Sequence, residues 1–244
     1  MDLATTEVVG LEALMRWYHA ERGWIPPSVF IPLAEQSDLI IALGLFALRE
    51  SIVAAKSWKP VGENMNLPFV TVNFSAHQFH TPDIVAIIKN ALHDGELAPE
   101  RLIIEMTETA ALLDINETMK VVESLNELGV GIAIDDFGTG FSSLAYLVLL
   151  HPKIIKIDRT FVSPPHESAR NDTLLEEIIK LGRGLNMTVL AEGIETHGQL
   201  VRLRQMSCEL GQGFLFSPAV PADEVAQLTR RPLGMASVKV ETQV

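Results

Sequence analysis

Short runs of aliphatic and β-branched residues alternate along this chain with longer stretches whose apolar positions recur every three or four residues. The short runs are Val8–Met15, Phe69–Asn73, Leu102–Met106, Gly131–Asp135, Ile154–Ile157, Thr188–Ala191 and a weaker Glu209–Phe214. Most are apolar almost without a break, which predicts parallel strands covered on both faces. The longer stretches predict helices. Thr81-Pro82 opens one toward His93, with proline at the first helical position. Asn116–Leu128 sets Met119, Val122, Leu125 and Leu128 on one face and stops at Gly129. Asn171–Leu185, Thr196–Met206 and Pro221–Thr229 repeat the arrangement, and Arg230–Val244 reads as a polar tail.

Strand followed by helix from end to end predicts parallel βα units. No repeat or Gly/Ser linker divides them, so residues 1–229 are expected to form one domain, with 230–244 as its tail. Seven strands are one short of an eight-stranded βα barrel, and a doubly wound open sheet is the other solution. The polar residues decide between them. Glu12 lies on the first run, Asn73 ends the second, and Glu105 with Glu108 ends the third. Asp135-Asp136 ends the fourth, Lys156 and Asp158 mark the fifth, and Glu192 ends the sixth. In a barrel these C-terminal ends converge on one mouth, whereas an open sheet spreads them along an edge.

Converging Glu, Asn and Asp side chains make a hard, oxygen-only site suited to Mg²⁺ or Mn²⁺. Adjacent Asp135 and Asp136 suit two ions, one carboxylate bridging, in an arrangement that clamps a phosphodiester and activates water. Lys156 inside an isoleucine run is placed to hold that water or to stabilise phosphoryl charge. Strand alternation carries Arg16 to the same side as Glu12, where its planar fork fits phosphate. The glycine-rich Phe137–Ser143 stretch after the acidic pair reads as a mobile loop shaping the site.

Composition narrows the partners. The chain has 244 residues, 48% hydrophobic and 20% charged, enough for a full core without disulfides. Against 31 Asp and Glu stand 19 Lys and Arg, a net charge of -12 with no basic run, which argues against duplex nucleic acid. The longest apolar run, Leu39–Leu48, is far short of the ~20 residues that span a bilayer, so no membrane contact is expected. Met1-Asp2-Leu3-Ala4 has neither the basic nor the apolar segment of a signal peptide, and the lone Cys208 fits a reducing, cytoplasmic setting.

Taken together these residues resemble the EAL family of cyclic-di-GMP phosphodiesterases. The name motif is Glu12-Ala13-Leu14, continuing to Arg16-Trp17. Val72-Asn73-Phe74-Ser75, Glu105-Met106-Thr107-Glu108 and Asp135 to Gly140 match three further elements, with Phe141 where the family often has tyrosine. Lys156-Ile157-Asp158, Ala191 to Thr196 and Gly211-Gln212-Gly213-Phe214 complete the set. Two departures are visible: the proline of Ser217-Pro218-Ala219 is shifted, and the helix and first strand that the family sets before Asp2 are absent.

The resemblance implies a modified TIM-type barrel, without that N-terminal helix and first strand, which hydrolyses one phosphodiester of cyclic-di-GMP to linear pGpG. Glu12, Asn73, Glu105 and Asp135 would hold the first of two Mg²⁺ or Mn²⁺ ions, and Asp135 and Asp136 would serve the second. Lys156 and Glu192 would flank the hydrolytic water, with Glu192 a general base or outer ligand. Glu108 would anchor the loop that begins at Asp136, and Glu195 would support the site. Arg16, Leu14, Gln212 and Asp158 would contact the cyclic dinucleotide. A homodimer and fusion to regulatory or GGDEF domains in a parent protein are implied as well. Two other readings stay open: a module that only senses cyclic-di-GMP, and a metal-dependent barrel lyase. The missing first strand leaves the strand carrying Glu12 without a neighbour, so an incomplete barrel is expected unless another protomer, a loop or the tail covers that edge.

Overall fold

The computed structural model describes residues 1–62, 65–138, 144–163 and 169–225. The first strand, β1 (Gly10–Ala13), leads into a hairpin of β2 (Trp17–His19) and β3 (Gly23–Ile25). Two helices follow, α1 (Pro27–Glu35) and α2 (Leu39–Ser57), before β4 (Phe69–Asn73). Next come α3 (Ala76–Phe79), α4 (Ile84–Gly95), β5 (Leu102–Thr107), α5 (Glu108–Leu112) and α6 (Ile115–Leu128). The chain continues through β6 (Gly131–Phe137), α7 (Leu144–Leu150), β7 (Ile154–Ile157), α8 (Arg159–Val162), α9 (Ala169–Gly184), β8 (Thr188–Ala191), α10 (His197–Gln205) and β9 (Leu210–Gly211).

Seven strands pair in the order β1-β4-β5-β6-β7-β8-β9, every pair parallel. This is the curled βα sheet that the strand pattern predicts, and the open doubly wound order does not occur. At the β9 end of the sheet the first residues of the chain add backbone pairing. Met1–Leu3 runs antiparallel to β9, with Gly211 N donating to Met1 O at 2.9 Å and Leu3 N to Glu209 O at 2.9 Å. A turn closed by Asp2 N to Glu7 O at 2.9 Å then leads up to β1. Leu3 is 1% exposed and packs into the cluster around α9 and α10. This short arm pairs backbone groups of β9, while β1, the strand carrying Glu12, pairs with β4 alone among the described residues.

Strand alternation divides the side chains into two sets. Val70, Val72, Leu102, Ile104, Ile132, Ile134 and Ile155 face outward and form the main core with the helices. Ile103, Ala133, Ile154, Leu190 and Leu210 face inward and fill the barrel as an apolar plug, with Val9 and Phe69 packed against it. Gly10 is required at the base, because a Cβ there would overlap the Phe69 ring.

Several boundaries differ from the sequence pattern. The first strand is only Gly10–Ala13, and Leu14 to Arg16 already turn toward the hairpin. The helix after Thr81-Pro82 begins at Ile84, since Asp83 takes a left-handed conformation with φ 60°. β9 stops at Gly211, because the chain turns at Gly213–Phe216 and a Cβ on Gly213 would overlap the Ile194 backbone. The helix expected over Pro221–Thr229 runs beyond the described residues, as do the 230–244 tail and Thr139–Ser143 of the glycine-rich loop. No helix among the described residues is long and apolar enough to cross a membrane.

Candidate active site and metal centre

Two residues above each member of the inward plug, the same strands present polar groups. Glu12, Asn73, Glu105, Asp135, Lys156, Glu192 and Gln212 stand at the C-terminal ends of seven different strands, as the barrel reading requires. Lys156 occupies their centre and is 1% exposed. Its Nζ lies 2.8 Å from Glu105 Oε2, 2.8 Å from Glu192 Oε1, 3.2 Å from Asp135 Oδ1 and 3.4 Å from Glu12 Oε2. One ammonium thus meets carboxylates from four strands. Glu12 is held from both sides: Asn73 Nδ2 donates to Oε1 at 2.8 Å, and Gln212 Nε2 donates to Oε2 at 2.6 Å. The second bond crosses the seam between β9 and β1, so it also ties the barrel mouth together.

Asp135 and Asp136 are neighbours in sequence, and a regular strand would send them to opposite faces. The β6–β7 register shifts between Ile134 and Phe137, and Asp136 adopts φ 55°. This bulge turns the second carboxylate toward the first. Asp136 N donates to Asp135 Oδ1 at 3.0 Å, and Asp135, Asp136 and Glu192 each bring a carboxylate oxygen within 4.8 Å of the others. Left-handed backbone at an aspartate is strained, and here it serves the one place where two adjacent acids must converge.

The electrostatics follow from burial and crowding. Burial pushes the Glu105 carboxyl up to about 8, with Glu12 and Asp135 adding to the rise and Lys156 opposing it. Burial likewise raises Glu192 to about 7 against the pull of Lys156. Burial and the adjacent Asp135 raise Asp136. Glu12 is lowered: burial works against this, but Lys156, Gln212 and Asn73 outweigh it. Lys156 is raised well above an ordinary lysine, because four carboxylates overcome its burial.

Five carboxylates and one ammonium leave a formal excess of four negative charges (five less one) when all are ionised. Such a ring needs further cations, and its donors are oxygen only. The residues present therefore fit hard divalent ions of the Mg²⁺ or Mn²⁺ type.

Other residues singled out in the sequence fall outside this ring. Arg16 is exposed, and its Nη1 bonds Met15 O at 3.0 Å; β1 has ended, so alternation no longer directs it to the mouth. Leu14 is 45% exposed beside the ring. Asp158 caps α8, with Oδ1 accepting from Thr160 N at 3.0 Å and Thr160 Oγ1 at 2.6 Å. Glu108 starts α5 and lines a small cavity with Ile134, Phe137 and Tyr146, on the helix side of β6. Glu195 is exposed, and its N–H donates to Gln199 Oε1 at 2.8 Å. Gln199 also completes the Thr196 capping box, bracing the turn after Glu192; the Thr-x-x-Gln spacing was a legible signal for it.

The comparisons with known proteins agree with this geometry. The EAL domain model matches residues 1–219. The bifunctional diguanylate cyclase/cyclic di-GMP phosphodiesterase MucR of Pseudomonas aeruginosa is 39% identical over 219 residues, covering 89% of this chain and 32% of that protein. The cyclic di-GMP phosphodiesterase NbdA of the same organism is 39% identical over 230 residues, 94% of this chain and 29% of that protein. The chain thus spans about a third of the length of these curated relatives. Among solved structures, a MucR phosphodiesterase complex with c-di-GMP superposes with TM-score 0.82 at 38% identity, covering 89% of this chain and 87% of that one. A manganese and cyclic-di-GMP complex of Klebsiella pneumoniae BlrP1 gives TM-score 0.76 at 29% identity, over 89% of this chain and 53% of that one. With the strand-end residues in place on a parallel βα barrel and the family model matched along most of its length, the chain belongs to the EAL domain family.

Proposed function

We propose that this domain hydrolyses one phosphodiester bond of cyclic-di-GMP to linear pGpG with the help of divalent cations. The observation that carries the reading is the buried Lys156 ammonium at the centre of carboxylates from four strands. Such a constellation is costly for folding and suits stabilisation of anionic charge in a reaction. Glu12, Asn73, Glu105 and Asp135 would hold one ion, and Asp135 and Asp136 a second beside Glu192. Ions bound there lower the pKa of coordinated water and neutralise phosphoryl oxygens.

The protein's own groups have separable tasks. Asn73 and Gln212 orient Glu12 by donating to its two oxygens. Glu192, within 2.8 Å of Lys156 Nζ and grouped with Asp135 and Asp136, is placed to take the proton of the attacking water. Lys156 holds that water or balances charge on the phosphoryl oxygens. Glu108 anchors the loop after Asp136, while Arg16, Leu14, Gln212 and Asp158 meet the nucleotide. The names of MucR and NbdA and the ligands of the two solved complexes support the substrate. Residues 1–229 would be the working domain, coupled in a longer signalling protein to regulatory or cyclase modules.

Incubation with cyclic-di-GMP and Mg²⁺ or Mn²⁺, followed by nucleotide analysis, tests the proposal. Linear pGpG should appear with either ion and disappear with excess chelator. Undiminished turnover in chelator would sink the two-ion account, and tight binding without turnover would mark a sensor module.

A further inference from the structure

One polar atom beside the acid ring has no partner among the described residues. Thr71 is 4% exposed, and its Oγ1 makes no hydrogen bond among the described residues. It lies on β4 two residues before Asn73, on the same inward face, in register with Glu12 on β1 and Ile103 on β5. Its partner on β1 is thus the charged Glu12, whereas Ile103 beside it on β5 and the plug residues Ala133, Ile154, Leu190 and Leu210 carry no polar side chain. Thr71 therefore puts one hydroxyl where the apolar plug meets the charged ring, beside Glu12.

A buried hydroxyl without a partner is unfavourable, and valine would fill the same volume without that penalty. The hydroxyl makes sense if a second state of the site uses it. Lys156 supplies the demand. Its contacts to Glu105 and Glu192 are short at 2.8 Å, while those to Asp135 at 3.2 Å and Glu12 at 3.4 Å are longer. Glu12 and Asp135 are among the residues proposed to hold a cation. Once their oxygens serve a divalent ion, the ammonium loses acceptors and is repelled by the new charge. A neutral acceptor on the inner wall, beside Glu12, relieves that loss without competing for the ion.

We infer that Thr71 is a positioning residue for Lys156: its hydroxyl accepts a hydrogen bond from Nζ, directly or through one buried water, when divalent cations take up the Glu12 and Asp135 oxygens. The inference rests on the cation-binding reading of the site and adds a residue to it.

Thr71→Val and Thr71→Ser, made in the full chain, test it by Mn²⁺ titration calorimetry and by thermal melting in chelator. Thr71→Val should melt in chelator at or above the wild-type temperature, because it removes an unpaired hydroxyl. It should nevertheless bind Mn²⁺ about tenfold more weakly, the scale of losing a partner just outside a metal's ligands. Thr71→Ser should bind within a few-fold of wild type. Equal Mn²⁺ affinity in Thr71→Val and wild type would overturn the role. So would a lower melting temperature of Thr71→Val in chelator, which means the hydroxyl is already bonded, or equal weakening in the serine variant, which means packing is responsible. A wild-type chain that takes up no Mn²⁺ would instead overturn the cation reading itself, and this role with it.

Discussion

Two layers of the same barrel, two residues apart on every strand, have opposite chemistry. The lower layer contains Ile103, Ala133, Ile154, Leu190 and Leu210, packed together as an apolar plug. The upper layer contains Glu105, Asp135, Lys156, Glu192 and Gln212 on the same strands. Backbone pairing, twist and inward direction are shared, so the difference is in side chains alone. The lower layer supplies burial and excludes water. That exclusion gives the upper layer its strength, because one ammonium among four carboxylates interacts far more strongly on a dry floor than in solvent. Stability and reactivity are thus stacked along each strand, and the apolar floor is part of the site.

The comparison breaks most visibly if a charge is moved down one layer. Ile103→Glu sets a carboxylate into the plug, two residues below Glu105, with no cation beside it. A loss of about 4 kcal/mol is expected, as for an uncompensated buried charge, and thermal melting reads it directly. Retention of the wild-type melting temperature would show that the two layers are not distinct environments.

A smaller effect separates roles within the upper layer. Lys156→Ala should lower turnover by roughly 10²–10³-fold, the scale of one lost transition-state contact. It should leave Mn²⁺ binding nearly intact, since it removes a competitor for the carboxylates. Glu12→Ala should weaken both metal binding and turnover. Calorimetry showing equal metal loss in the two variants would remove Lys156 from its assigned role.

The smallest effect is a pH dependence. Glu105 and Glu192, raised to about 8 and about 7 chiefly by burial, bind protons in the metal-free fold that the unfolded chain has already released. Their folded values lie above the unfolded ones, so their contribution to stability is full below about pH 4.5 and is lost as pH rises through 7 and 8. In chelator, the melting temperature should therefore fall from pH 5 to pH 8.5. With Mn²⁺, which needs both groups ionised, it should fall less, and the gap between the two curves should widen toward alkaline pH. Parallel curves would mean these carboxyls are not the ones that yield protons to the ion.

Much of this was legible in the residues. Six of the seven strands carry an obvious polar interruption at or beyond their ends, and the residue types there define oxygen chemistry without any coordinates. The Asp135-Asp136 pair was legible as two acids but not as a converging pair, because alternation predicts opposite faces and only the β6 bulge overrides it. The resemblance implies that Gln212 contacts the nucleotide, and the structure adds that its amide donates to Glu12 across the seam. Alternation extended over Val8–Met15 directs Arg16 to the mouth, whereas the strand ends at Ala13. The helices α1 and α2 and the β2–β3 hairpin gave no motif to read. Of these, α2 packs against β4, α1 packs against α2, and the hairpin's Trp17 ring meets Phe30 of α1, while Leu39–Leu48 is merely apolar by sequence, without a clear period.

By itself, then, the order of residues determined which groups end each strand and that those strands are parallel and covered, because local preference and side-chain alternation are properties of neighbours along the chain. The tertiary structure alone decided that Glu12 and Gln212, 200 positions apart, share a hydrogen bond. It also decided that a lysine becomes the common partner of four acids, and that one threonine hydroxyl beside them has no partner among the described residues. Those outcomes depend on how the sheet closes and how dry its interior is, and the strength of a charge or the cost of an idle hydroxyl is set by that surrounding rather than by the residue that carries it.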